Sequence, residues 1–347
     1  MTDHNYTFKM ATQQVFRLPQ RTSINDLVVG TEPIPEPSSN EVLVRIRSVA
    51  LNFRDFAVAT GQYPLPVKDN VVPGSDLSSD VVKVGSHVDD FAHGDKVISS
   101  FDLDTLHGAM KDWNHSLRGY VDGALREYIV LPSSALVQVP KETKLNYSQL
   151  SALVCTGTTA WNSLCGNIAL KRTGGVSITG LILAKAAGAT AIITSSSDSK
   201  LQHVKETYGP DHVINYKKTP KWSEEVLRIT EGHGADYVFE NGGAGTIAES
   251  INAVAYGGSI AVIGFLASCP QEQMPDVAAL ALSEGAVVRG IMVGSRQHLE
   301  EVTRYVVTRQ LQVPVEKEFG SSKDEIIATF EYVTSGTHIG KVCIKMT

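Results

Sequence analysis

Positive charge is scarce in this 347-residue chain: 31 Lys and Arg against 37 Asp and Glu leave a formal charge of -6. That balance argues against a dedicated nucleic-acid binder, which carries a basic face, and leaves room only for a local basic pocket. Long apolar runs are missing too, none approaching the roughly 18–20 residues needed to span a bilayer. Met1 to Met10 is polar and has no apolar core of the signal-peptide kind. Cysteines are few, and Cys155, Cys165, Cys269 and Cys343 show no paired spacing. They read as buried free thiols in a reducing compartment, so the expected location is the cytosol. What remains is an ordinary globular composition, 42% apolar and 20% charged, in a chain long enough for two cores.

Two textures divide the chain. Glu41–Ser48 alternates apolar and polar residues, as a half-buried strand does, and Val81–Val84 and Lys96–Ser99 are similar. Turn residues such as Gly85 and Gly94-Asp95 separate them, with irregular, Pro-rich stretches including Tyr63-Pro64-Leu65-Pro66. This predicts an antiparallel, partly closed barrel. From about Tyr147 a helical period through Ser148–Leu164 leads to Gly174-Gly175 and an amphipathic stretch, Val176–Ala187. Apolar runs at Ala191–Thr194, Val213–Asn215, Tyr237–Glu240, Ser259–Gly264 and Val287–Met292 then alternate with helical spacers at Lys200–Tyr208, Ser223–Thr230, Thr246–Val254 and Gln297–Arg309. Strand and helix in alternation predict a parallel, doubly wound sheet. The tail returns to the first texture with helix Lys323–Val333 and strand Lys341–Lys345.

Short segments in fixed order carry a resemblance. They are Asn52-Phe53-Arg54-Asp55, Gly61-Gln62-Tyr63-Pro64, Val72-Pro73-Gly74-Ser75-Asp76, Gly94-Asp95-Lys96-Val97, Gly157-Thr158-Thr159-Ala160-Trp161, Thr173-Gly174-Gly175-Val176-Ser177, Gly258-Ser259 and Gly340-Lys341-Val342. Each alone is weak; together they span nearly the whole chain. The chain resembles the medium-chain dehydrogenase/reductase superfamily, nearest its zinc-independent quinone-oxidoreductase branch, which includes zinc-type alcohol dehydrogenase-like proteins. The resemblance implies an α/β fold of two domains. A GroES-like β-barrel domain takes residues 1–146 and 310–347, and a Rossmann-type domain takes 147–309. It also implies a small-molecule substrate and a homodimer paired through the edge strand near Val287–Met292.

Zinc is judged on ligand chemistry. A catalytic zinc takes three protein ligands from Cys, His and acidic side chains. In zinc alcohol dehydrogenases the first is a Cys where this chain has Asn52. The second is the His of a Gly-His-Glu triplet that here reads Gly74-Ser75-Asp76. The four clustered cysteines of a structural zinc are missing from Phe101–Gly123. His93, His107 and His115 read as solvated loop residues, and no metal is expected.

The nucleotide site follows from helix N-termini. Backbone N–H groups of Gly174, Gly175 and Val176 suit a pyrophosphate, and glycine lets it approach. A Rossmann enzyme that prefers NAD places a carboxylate after the second strand for the ribose 2′-hydroxyl. Here Ser195, Ser196 and Ser197 stand there, with Lys200 and Tyr216 following, a set that tolerates a 2′-phosphate; Asp198 is the opposing charge. NADPH is therefore expected over NADH. The resemblance places Thr159, Gly264, Phe265, Leu266, Val293 and Gly294 near the nicotinamide half. It assigns the reaction pocket to Asn52, Asp55 and Tyr63. Tyr63 is a candidate proton donor, since a phenol near pKa 10 can protonate a carbanion-like centre; the bland reading is a ring packed beside Pro64. Arg54-Asp55 reads equally well as a surface ion pair.

One departure stands out. The family's apolar first strand, ending in Gly-x-Gly-Gly, is missing: Leu170-Lys171-Arg172 runs straight into Thr173-Gly174-Gly175, with Arg172 at the first Gly and Ser177 at the last. That strand is central in the order 3-2-1-4-5-6. A strand of about five residues serves about five ladder bonds, each costing about 1–3 kcal/mol if left unpaired and buried. Against a net stability of about 5–15 kcal/mol, such a loss has to be compensated. Either Asn167–Arg172 enters the sheet with Ile168 and Leu170 on one side, or a splice variant or faulty gene model leaves a weak binder. The expected activity is zinc-free, NADPH-dependent reduction of a quinone or an activated C=C. The alternatives are an impaired nucleotide-binding paralogue and an alcohol or aldehyde dehydrogenase working without zinc.

Overall fold

The computed structural model describes residues 11–165, 178–264, 266–267 and 269–346. The chain opens with an antiparallel pair, β1 (Thr12–Arg17) and β2 (Val28–Pro33). There follow β3 (Glu41–Ala50), α1 (Phe53–Ala59), β4 (Asp76–Val84), β5 (Lys96–Ser99), β6 (Tyr128–Pro132), β7 (Leu136–Gln138) and the long α2 (Tyr147–Cys165). Next come α3 (Ile178–Ala186), β8 (Ile192–Ser195), α4 (Asp198–Tyr208), β9 (His212–Asn215), α5 (Trp222–Ile229), β10 (Ala235–Glu240), α6 (Ile247–Ala253) and β11 (Val254–Val262). The last third adds α7 (Val277–Ser283), β12 (Val287–Gly290), α8 (Arg296–Thr308), β13 (Val315–Phe319), α9 (Lys323–Thr334) and β14 (Lys341–Lys345).

The antiparallel part is a seven-stranded sheet whose backbone is β3. Its Val42, Val44 and Ile46 alternate into the core, each at most 1% exposed. One edge of β3 pairs with β4; the other takes β6 over Glu41–Arg45 and β14 over Ser48–Ala50. The C-terminal strand therefore completes a sheet begun near the N-terminus. Among the described residues the path β13-β14-β3-β4-β5-β7 stays open, so the barrel-like domain does not close.

The described strands of the parallel part fall in two sets. β8 pairs with β9, and β10, β11 and β12 form a second parallel set. Among the described residues no strand joins β8 to β10. The stretch Asn167–Arg172, expected to enter the sheet there, lies outside the described residues, as does the Gly174-Gly175-Val176 turn.

α2 is the seam between the two parts. Its Leu150, Leu153, Val154 and Leu164 pack in one cluster with Ala50, Ile98 and Cys343 of the antiparallel sheet and with Leu183, Phe239, Val302 and Val306 of the other half. The expected amphipathic helix is instead apolar on nearly every side: Thr179, Gly180, Leu181, Leu183 and Ala184 of α3 are all buried. Helix α1 falls in a stretch read from sequence as irregular. All four cysteines are free, but only Cys343 is buried and the others are half-buried, so the expectation of four buried thiols is corrected. Among the described residues no helix is long and apolar enough to cross a membrane.

Candidate active site

A cavity of about 920 Å³ runs between the two halves of the parallel sheet and opens on the antiparallel domain. Its walls include Ile192, Ile193, Thr194 and Ser195 of β8 and Tyr237, Val238, Phe239 and Glu240 of β10. Asn52, Phe53, Thr156 and Lys341 line its far end. Residues near and far in sequence thus meet in one space.

At the nucleotide end, Ser195, Ser196, Lys200 and Tyr216 all line the cavity. Ser197 caps α4, its hydroxyl accepting from Lys200 N. The Lys200 ammonium donates to the carbonyls of Gly336 and His338, which ties the parallel half to the tail. The Asp198 carboxylate is taken up by Lys218 Nζ at 2.5 Å and Asn215 Nδ2 at 2.7 Å. Those partners hold it below the usual carboxylate range. The charge that opposed a 2′-phosphate is thus engaged elsewhere.

At the reaction end, Asn52 precedes α1. Its side chain is gripped at both ends: Oδ1 accepts from Lys341 Nζ at 2.7 Å, and Nδ2 donates to Asp76 Oδ2 at 3.0 Å. Asp76 is fully buried and also accepts from Ser75 Oγ at 2.6 Å and Cys155 N at 3.2 Å. Lys341 Nζ donates further to Leu51 O at 2.8 Å and lies 3.6 Å from Asp76. Burial and the Asp76 charge push the Cys155 thiol up, keeping it neutral.

Asp55 is fully buried. The surface-ion-pair reading of Arg54-Asp55 is corrected: Asp55 pairs with the buried Arg118, and also accepts from Asn52 N at 2.7 Å and Gly74 N at 3.2 Å. Arg54 instead lays its guanidinium over Phe101, 3.9 Å from the ring centre. Tyr63 sets its ring edge-on to Trp113 at 6.3 Å and lines a separate cavity of about 530 Å³ with Gln20, Arg21 and Pro66. It does not line the larger space.

The remaining candidates are scattered around the seam. Thr159 is buried in α2. Val293 has a positive φ of 50°, a strained value for a β-branched residue. Its carbonyl accepts from Asn162 Nδ2 at 2.9 Å. Gly294 touches Thr158 so closely that a Cβ would sit 2.9 Å from its methyl, which explains the glycine. At Gly264 a Cβ would meet Asn241 O at 2.5 Å. Leu266 lines the larger cavity, and Phe265 lies outside the described residues. His93, His107 and His115 are exposed.

Sequence reasoning did not assign Lys341, Asp76, Cys155 or Glu240 to the site. Lys341 and Asp76 stood inside recurrent segments, Gly340-Lys341 and Gly74-Ser75-Asp76, which were the available signal. Glu240 is buried and accepts from Gly242 N, Gly243 N and Thr246 Oγ1, so it shapes the loop after β10.

Residues 38–141 match the alcohol dehydrogenase GroES-like domain and residues 175–308 the zinc-binding dehydrogenase domain. A zinc-type alcohol dehydrogenase-like protein of Schizosaccharomyces pombe is 39% identical over 321 residues, 88% of this chain and 91% of that protein. The chain belongs to the medium-chain dehydrogenase/reductase superfamily. It is by family an NAD(P)H-dependent oxidoreductase acting on a small molecule. A quinone oxidoreductase-like protein 2 homolog of Nematostella vectensis is 26% identical, covering 88% of this chain and 82% of that one. A solved NAD-dependent alcohol dehydrogenase superposes with a TM-score of 0.83 at 27% identity, over 96% of this chain and all of that one (100%).

The matched family is described as zinc-binding, so fit to zinc matters. Asn52 and Ser75 offer neutral amide and hydroxyl groups where zinc needs thiolate or imidazole. Of the two carboxylates beside them, Asp55 is paired with Arg118, and Asp76 lies 3.6 Å from the Lys341 ammonium, which also donates to Asn52 Oδ1. A divalent cation there would meet that ammonium. The residues do not fit zinc. Among the described residues no group of His, Cys, Asp and Glu is arranged to hold a metal ion.

Proposed function

We propose that this protein is a zinc-independent, NADPH-dependent reductase of quinones or activated C=C bonds. One observation carries the reading: a single cavity joins Ser195, Ser196, Lys200 and Tyr216 at one end to Asn52 and Lys341 at the other. In this reading Lys200 and Tyr216 hold the 2′-phosphate, with Ser195, Ser196 and Ser197 supplying hydroxyls, and Gly174, Gly175 and Val176 receive the pyrophosphate on bare main chain. Thr159, Gly264, Phe265, Leu266, Val293 and Gly294 shape the nicotinamide end. NADPH, when bound, supplies the hydride. Asn52 orients the acceptor's oxygen, Asp55 holds the Asn52–Gly74 corner, and water supplies the proton, or Tyr63 once its ring turns from Trp113 toward the larger cavity. The expected domains remain residues 1–146 with 310–347, and 147–309. The compartment remains the cytosol. The edge strand β12, with Val287 exposed, remains the proposed homodimer contact.

The test is loss of reduced-nicotinamide absorbance on adding a quinone or an α,β-unsaturated ketone to the protein with NADPH, with and without a strong chelator. Oxidation that the chelator leaves unchanged is the expected result. Oxidation abolished by the chelator, or activity confined to alcohols and aldehydes, overturns the reading. A second reading, a protein that binds nucleotide without turnover, is favoured by the sequence running from Leu170-Lys171-Arg172 straight into Thr173-Gly174-Gly175, and shows as NADPH binding with no oxidation.

A further inference from the structure

The two ends of the Asn52 amide touch opposite charges. Oδ1 faces the Lys341 ammonium at 2.7 Å and Nδ2 faces the Asp76 carboxylate at 3.0 Å. Rotating the amide by half a turn would set its NH2 against an ammonium and its oxygen against a carboxylate, two repulsions in place of two charge-assisted bonds. The orientation is therefore fixed by the clamp. An amide nitrogen carries two hydrogens, and Asp76 takes one. Asn52 is half-buried on the cavity wall, so the second N–H is the polar hydrogen it can present there.

We infer that Lys341 and Asp76 are positioning residues that make Asn52 an obligate hydrogen-bond donor to the substrate. The site then selects a substrate that offers an oxygen acceptor, a quinone or enone carbonyl, where the zinc enzymes of the family use a metal. The inference rests on the proposed reductase activity. Its physics is local. The ammonium draws density from Oδ1 and strengthens the N–H on the other side of the same amide. As negative charge grows on the substrate oxygen, that N–H gains strength in the transition state more than in the ground state. Lys341 donates two N–H groups to Leu51 O and Asn52 Oδ1 and faces the Asp76 carboxylate 3.6 Å away, so its charge is held in the clamp. Asp76, with Ser75, Cys155 N and Asn52 around it, is equally committed.

The test compares Asn52→Asp, Lys341→Gln, Lys341→Arg and Asp76→Asn with the unchanged protein. Asn52→Asp keeps shape and replaces the donating NH2 with an accepting oxygen. Circular dichroism and thermal unfolding first establish that each variant folds. Removing one donor to a developing oxyanion costs about 100-fold or more in kcat. The expected result for Asn52→Asp is that loss in kcat, with NADPH affinity within about threefold. Lys341→Gln is expected to lose about tenfold, largely restored in Lys341→Arg. A readout free of turnover uses para-nitrophenol: the unchanged protein binds the phenolate in preference to the phenol, lowering the probe's apparent pKa, and Asn52→Asp reverses that preference. Phenolate preference without NADPH oxidation keeps this inference and sinks the reductase reading. Turnover with kcat unchanged in Asn52→Asp, or phenolate binding equal in both proteins, overturns the inference alone.

Discussion

The antiparallel and parallel sheets pair their described strands differently. In the first, β3 is paired along both edges, with Val42, Val44, Ile46 and Val49 at most 1% exposed. In the second, β8 and β10 each face a cavity of about 920 Å³, and among the described residues no strand pairs with both. Those two strands carry walls of the proposed cofactor site. Among the described residues the more fully paired ladder lies in the domain that presents Asn52, and that domain is expected to open last.

The largest expected effect lies on the stable side. Asp55→Asn strands the buried Arg118, and breaking a buried pair from one side costs about 3–5 kcal/mol. Chemical denaturation should show that loss, with a smaller one when Arg118→Met is added. A loss under about 1 kcal/mol would mean that the pair is dispensable and would weaken the contrast.

Hydrogen exchange measures the comparison next. Amides of β3 and β4 should exchange only on global unfolding, whereas those of β8 and β10 should open at free energies at least about 3 kcal/mol lower. Equal protection would show that the ladder is continuous in solution. Smaller again is Lys200→Ala. Its ammonium is the cation among the wall residues at the Ser195–Ser196 end, and a lost charged hydrogen bond should weaken NADPH about tenfold or more with little change for NADH.

Acidity gives the mildest probe. Burial holds His298 and His338 below the usual histidine range. Below about pH 6.5 an unfolded histidine takes up protons that these two resist, so the unfolded state binds more protons and stability falls with pH. The melting temperature should therefore drop as pH falls through that value, and less in His298→Gln than in the unchanged protein. A profile identical in both would remove His298 from the account.

Much of this was legible in the sequence, for reasons that can be named. Periodicity located α2, α4, α8 and β14 to within a residue or two, because each has a clear buried face or alternation. Helix α1 has no clear periodic signal: Asn52 and Asp55 stand out for their chemistry, while the same Asp55 closes the helix start by accepting from Asn52 N. The α3 stretch is not amphipathic as its sequence suggests, because it packs between α2 and α4. The site residues from the motifs converge only in part. Asn52, Lys200 and Tyr216 share a cavity, whereas Tyr63 turns toward Trp113. Lys341 and Arg118 went unassigned because their partners lie far away in sequence, and no local pattern encodes a charge pair made by the return of the C-terminal strand or a distant loop.

The most direct measurement is titration of the purified protein with NADPH and NADH, followed by fluorescence. Saturable NADPH binding, at least about tenfold tighter than NADH, is the predicted result. No binding of either nucleotide, or NADH bound as tightly as NADPH, would contradict the account.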